Sequence, residues 1–158
     1  MEKNYKLENN WSLWYHSIKD DNWGKKSYKK LLIFRNLFDY RLIVDSFEQN
    51  YYQNGMFFVM KDDIFPNWED PKNRFGGCLS FKISSDNIID SWNYLLLNIL
   101  NSSFLKENND MINGISIAPK KEFNIIKIWL KEKKYKYSND FLENQYLKLE
   151  NSLYKDNI

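Results

Sequence analysis

The 158 residues predict an α+β fold, an antiparallel sheet with a few long helices on one face. Three observations lead there. Short stretches with a two-residue apolar period recur along the chain. Two longer stretches with helical spacing stand between them. Nowhere do strands and helices alternate in the regular βαβ manner that a parallel sheet needs. Gly and Pro are scarce and scattered, with no repeat or linker. Residues 1–158 therefore read as a single domain, long enough to bury about two-thirds of its unfolded surface.

The elements follow in order. Trp11, Leu13 and Tyr15 alternate with Ser12, Trp14 and His16, as a half-buried strand should. Asp20 to Lys26 is polar and carries Asp-Asp-Asn before Trp23 and Gly24, a loop whose tryptophan has little core to join. Asn36 can cap a helix with the apolar set Leu37, Tyr40, Val44 and Phe47. Met56 to Met60 is a buried-strand run. Leu79, Phe81 and Ile83 oppose Cys78, Ser80 and Lys82 in a further strand. Asp86 is placed to cap a helix with Ile88, Ile89, Trp92, Leu96 and Ile99 on its stripe. Ile115 to Ala118 is a short strand.

Composition narrows the function. Lys, Asn, Ile, Tyr and Phe make up about half the chain and Arg occurs only three times. That is the signature of an AT-rich coding sequence before it is a prion-like one. A net charge of +2 excludes nucleic-acid binding by bulk electrostatics, so any such contact should be short and local. One cysteine, Cys78, excludes an internal disulfide and a cysteine-based zinc site. One histidine, His16, argues against a metal cluster and against Ser-His or Cys-His catalysis. The sequons at Asn10 and Asn101 look accidental. The start, Met-Glu-Lys-Asn, has no apolar leader and no run approaches a membrane span of ~20 residues. A soluble, cytoplasmic chain is the expectation, with no cofactor, no metal and no membrane partner.

The most telling stretch is Asn67-Trp68-Glu69-Asp70-Pro71-Lys72-Asn73-Arg74-Phe75-Gly76-Gly77. A Trp beside a Glu is a poor core element, because the carboxylate cannot be buried unpaired. It is a good receptor for a flat, cationic, hydrogen-bond-donating ring. The indole attracts the cation over its face, and the carboxylate accepts two N–H bonds from the ring edge. The nucleobase with those properties is 7-methylguanine.

Leu7-Glu8-Asn9-Asn10-Trp11-Ser12-Leu13-Trp14-Tyr15, Trp23, Phe65-Pro66-Asn67-Trp68-Glu69-Asp70, Lys72-Asn73 before Gly76-Gly77, and Ser85-Asp86 before Trp92 and Leu96-Leu97 stand in order at matching intervals. Together they resemble the mRNA cap-binding translation initiation factor 4E family, densely from about Leu7 to Gly114 and thinly afterwards. The resemblance implies a curved sheet with the cap on its concave side and about three helices on its convex side. It implies that Trp23 and Trp68 sandwich the methylated base while Glu69 binds its edge, to recruit mRNA for translation. It also implies a scaffold partner of the initiation factor 4G type, docked on the convex helices of a monomer.

Departures from the family pattern sharpen the expectations. The Arg that the family carries after Gly-Gly is Cys78 here, and a further Lys position is Ile125. Lys120, with Lys121 beside it, holds the remaining phosphate position, with Lys25, Lys26 or Lys82 as candidates to supplement it. On the partner surface Tyr40-Arg41 replaces Phe-Trp and Asn93 replaces Leu, with Leu97 nearby, so an unaltered Tyr-x-x-x-x-Leu motif is not expected to dock. Such a reduced version would suit a virus or parasite, and the host cytoplasm if viral.

Trp129 has two readings. An ungapped count from Gly114 sets it on the family's third cap-site tryptophan, in a strand. The pattern of Phe123, Ile126 and Trp129-Leu130, opened by Pro119, instead makes it the core of a third helix. Alternation in Ile126-Lys127-Ile128-Trp129 does not decide. The tail is short for both a long helix and a strand at Gln145 to Leu149, and the helix is favoured.

Three other readings compete. A cap-sequestering repressor without scaffold contact fits the altered convex surface. A cap-cleaving enzyme of the Nudix type needs a glutamate-rich metal helix that is absent, so no enzyme is expected. A carbohydrate-binding module would explain exposed tryptophans, but not the Trp-Glu pair in its Gly-Gly context.

Overall fold

The computed structural model describes residues 5–105, 107–133 and 148–158. Seven strands form one sheet: β1 (Lys6–Ser17), β2 (Lys29–Asn36), β3 (Gly55–Lys61), β4 (Gly77–Ser84), β5 (Ile112–Pro119), β6 (Phe123–Leu130) and β7 (Ser152–Asp156). Their spatial order is β2-β1-β3-β5-β6-β4-β7, and every neighbouring pair is antiparallel. Three helices, α1 (Leu37–Ser46), α2 (Gln49–Asn54) and α3 (Ile88–Leu100), pack on one face. The expected architecture, a curved antiparallel sheet with helices behind it, is the observed one.

Residues opposite one another in an antiparallel ladder share a face, so the register sorts the sheet into two sides. Trp11, Leu13, Val59, Ile115, Ile128 and Leu79 belong to the main core under the helices, with Trp92, Leu95, Leu96 and Ile99 of α3. The opposite face carries a smaller cluster of Phe58, Met60, Ile64, Cys78 and Trp129, bordered by Trp14, Tyr28 and Met56. The alternation read from β1 and β4 therefore holds on both sides.

The helix caps are half as expected. Asn36 caps α1: its side chain accepts the N–H groups of Phe38 and Asp39, and Asp39 reaches back to the Asn36 N–H, closing a capping box. Ile43, outside the expected stripe, is the buried residue of this helix. Asp86 does not cap α3. It lies in a 3-10 turn, Ser85–Asn87, whose own cap is the Ser84 hydroxyl, and α3 begins at Ile88.

The segment expected to form a third helix is a strand instead. Phe123–Leu130 is β6, paired with β4 on one side and β5 on the other. Pro119 ends β5 rather than opening a helix, and the turn closes through the Lys120 N–H donating to the Phe123 carbonyl at 2.8 Å. The physical reason is twofold. Ile125, Ile126 and Ile128 are β-branched and suit a pleated surface, and without β6 both β4 and β5 would be open edges. β7 pairs with the far side of β4 and was not foreseen. The strand expected at Gln145 to Leu149 lies largely outside the described residues, and Leu149–Asn151 forms a 3-10 turn.

Candidate functional site

Two loops meet over the helix-free face. The first, residues 18–28, follows β1. Within it Asp20 accepts the Asn22 N–H at 2.9 Å and Asn22 accepts the Gly24 N–H at 2.8 Å. These successive Asx turns hold the chain on both sides of Trp23, which is 50% exposed. Its indole lies flat on the His16 imidazole, with ring centroids 4.0 Å apart.

The second loop, residues 62–76, follows β3 and is tied down more heavily. Asp70 accepts the Phe65 N–H at 2.9 Å and the Lys72 N–H at 2.8 Å, while Asn67 accepts the Asp70 N–H at 2.9 Å. Asn73, fully buried, donates its amide to the carbonyls of Phe65 and Asn67. Asn113 of β5 and Asn157 beyond β7 donate to Asn73 in turn. Gly76 and Gly77 close the loop where it enters the sheet. A Cβ on Gly76 would run into the Leu130 carbonyl, and one on Gly77 into the Tyr154 ring, so only glycine lets β4 slot between β6 and β7.

In the Asn-Trp-Glu-Asp run the two outer residues are therefore scaffolding. The two inner ones, Trp68 at 47% exposure and an exposed Glu69, are presented to solvent. Phe65 locks the loops together, its ring 5.0 Å from that of Tyr28 and 5.1 Å from that of Trp14. Between the loops lies a cavity of about 310 Å³ lined by Trp23, Gly24, Lys25, Phe65, Glu69 and Asp70 among others. Its size suits a nucleobase-sized ligand. Burial raises the Tyr28 hydroxyl above its ordinary pKa, and the Glu69 charge adds to that.

The structure thus brings Trp23 and Glu69 together. Trp68 stands beside Glu69 but does not line the cavity. Trp129 lies in a strand on the same face, 7% exposed, its indole N–H donating to the Ser116 hydroxyl at 3.0 Å. Lys120 and Lys121 are exposed in the β5–β6 turn, at the end of the sheet where β1 ends and β3 begins. Cys78 is buried, and burial pushes its thiol up to about 12. Two cations escaped the sequence reading. Lys127 and Lys155 are exposed on the helix-free face, Lys127 opposite Ser80 and Lys155 opposite Cys78. Lys82, opposite Ile125, joins them. Their alternation with Ile126, Ile128 and Tyr154 becomes visible once those segments are strands.

On the helix side Tyr40 donates its hydroxyl to the Asn93 carbonyl at 2.7 Å, and Leu97 lies one helical turn beyond Asn93. Arg41 is exposed and paired with Asp45 at 3.0 Å. Phe38 and Leu42, a further pair on α1 that the sequence reading passed over, are exposed. Among the described residues no group of three or more His, Cys, Asp or Glu could hold a metal ion, and no helix is long and apolar enough to cross a membrane.

Comparisons with known proteins point to one family. The sequence model described as "Eukaryotic initiation factor 4E" matches residues 6–155. A eukaryotic translation initiation factor 4E from Dictyostelium discoideum is 28% identical over 132 residues, covering 79% of this chain and 52% of that protein. The chain thus spans about half of that relative's length. The initiation factor 4E-3 of Ascaris suum, in a structure with m7G cap, superposes with a TM-score of 0.73 at 18% identity, over 84% of this chain and 77% of that one. The C. elegans initiation factor 4E-3, in a structure with the 4E-binding protein Mextli and cap analog, gives 0.74 at 22%, over 83% and 76%. With a family model matched across nearly all of its residues, this chain belongs to the eukaryotic initiation factor 4E family.

Proposed function

We propose that the chain binds the 7-methylguanosine cap of mRNA and recruits capped message for translation initiation through a scaffold protein on its helix side. The observation that carries this is the convergence of Trp23 and Glu69, from two separately braced loops, on one cavity of base-like size. A methylated base stacked on Trp23 gains roughly 1–3 kcal/mol per face, and its charge adds ~2 kcal/mol when desolvated. Glu69 accepting from the guanine edge adds ~1.5–3 kcal/mol. Trp68, exposed beside Glu69, is assigned to the second face. Trp129 packs in the small core on the same face, its indole held by Ser116.

The phosphates run from this cavity along the helix-free face. Lys120 and Lys121 sit at its end, and Lys127 and Lys82 flank the Cys78 and Ile125 positions where the family's cations are missing. Phe38 and Leu42, beside Arg41 and the Tyr40–Asn93 contact, give a scaffold helix apolar purchase on α1. Titration of the protein with 7-methyl-GTP and with GTP, followed by tryptophan fluorescence, tests the reading. At least about tenfold preference for the methylated nucleotide is expected, the equivalent of ~1.4 kcal/mol of cation–π attraction. Equal affinities would end it.

A further inference from the structure

We propose that His16 is the positioning residue for the base-stacking wall, holding Trp23 with one face covered and the other presented to the ligand. The proposal rests on the cap reading and extends it to how the wall is built.

His16 belongs to β1, on the helix-free side with Ser12 and Trp14, and is fully buried. Its ring is parallel to the Trp23 indole within 2°, at 4.0 Å between centroids. Both ring nitrogens are engaged: Nε2 lies 2.8 Å from the Asn22 carbonyl and Nδ1 2.9 Å from the Ser17 carbonyl. Carbonyl oxygens only accept, so whichever ring nitrogen carries the proton donates to the carbonyl it faces. Tyr28 packs edge-on at 4.8 Å and closes the remaining side.

The consequences follow from conformational entropy. Trp23 sits in a loop of exposed polar residues, where an unsupported indole would sample several rotamers and lose that freedom on binding. The stack removes most of it in advance. A fully buried ring seated between two carbonyls and stacked on the indole has little room to turn, so the plane of Trp23 is set by the rigid strand β1 rather than by the loop. The contact from Nε2 reaches the carbonyl of Asn22, the residue before Trp23, so backbone and side chain of the wall are fixed together. A stack on the inner face also leaves one face for the base, which restricts the ligand to one approach.

A double-mutant cycle tests this. Affinities for 7-methyl-GTP are measured by ligand-observed NMR, which reads weak binding, for the unaltered protein, His16→Leu, Trp23→Leu, the double variant and His16→Phe, with thermal melts of each. His16→Leu should weaken binding about tenfold in the unaltered background and by less than about twofold when Trp23 is already Leu. His16→Phe, which restores a flat ring, should bind within about threefold of the unaltered protein. Should His16→Leu fail to fold, His16→Gln, whose amide can place an N–H toward Asn22 without the ring, takes its place. The proposal is overturned if the His16 substitution weakens binding equally in both backgrounds, if it has no effect in either, or if His16→Phe is as weak as His16→Leu. Absence of any preference of the unaltered protein for 7-methyl-GTP over GTP would instead retire the cap reading. A preference retained without coupling fails only this inference.

Discussion

Asp70 accepts backbone N–H groups from Phe65 and Lys72, while Glu69, one residue earlier, is exposed and faces the cavity. Two neighbouring carboxylates of the same charge therefore predict opposite phenotypes. Glu69→Ala should cost ten- to a hundredfold in 7-methyl-GTP affinity, from ~1.5–3 kcal/mol of charge-assisted hydrogen bonding, with an unchanged melting temperature. Asp70→Ala should lower the melting temperature by leaving two N–H groups without an acceptor, at ~1–3 kcal/mol, and weaken binding through the collapsed loop. Calorimetry and thermal melts on the pair decide it, and a Glu69→Ala protein that melts like Asp70→Ala would make Glu69 structural. Trp23, Trp68 and Glu69 were legible in the sequence because a large aromatic or a lone carboxylate in a polar loop has no core to explain it. Asp70, Asn73 and His16 were not, because their partners are backbone groups that only the folded chain brings within reach.

Misreading β6 as a helix came from a segment whose apolar positions satisfy both periods. Phe123, Ile126 and Trp129 fit a helical stripe, while Ile126, Ile128 and Leu130 fit a strand. What decides is the requirement of β4 and β5 for a shared neighbour, which no local pattern contains. Strands β1, β4 and β5 and helices α1 and α3 were legible because each has one period only, and β3 because its apolar run is too short for a buried helix. The misread element alters the role of Trp129 but not its burial. Trp129→Ala should lower stability by ~3–5 kcal/mol through the cavity it leaves among Phe58, Met60 and Cys78. Ser116→Ala, which removes only the acceptor of the indole N–H, should cost ~1–3 kcal/mol. Denaturant unfolding of both variants checks this. A Trp129→Ala protein as stable as the unaltered one, with cap affinity abolished, would restore Trp129 as a ligand wall with no part in the core.

At the scale of the whole molecule, a net charge of +2 conceals a division within the helix-free side. Lys82, Lys127 and Lys155 stand exposed on the helix-free face of β4, β6 and β7, on neighbouring strands. Lys120 and Lys121 lie at one end of that face. The base cavity between the two loops is instead built from aromatic rings and Glu69, with Lys25 at its edge. A capped nucleotide has the complementary division, a singly charged base and a polyanionic chain. The two halves should therefore respond separately to solution conditions. Raising salt from 50 to 200 mM screens exposed charges over a distance that shrinks to less than about 8 Å. It should weaken 7-methyl-GTP several-fold through lost phosphate contacts while leaving 7-methylguanosine, which has no phosphate, nearly unchanged. Lys127→Glu combined with Lys82→Glu should reproduce the same split at low salt. The triphosphate would lose affinity about tenfold or more, the nucleoside would lose none, and the salt dependence of the triphosphate would flatten. If the paired substitution weakens nucleoside and triphosphate alike, these lysines act on the fold and not on the phosphates. If it weakens neither, the charge that replaces the family's cations at Cys78 and Ile125 resides in other lysines, Lys120 and Lys121 first among them.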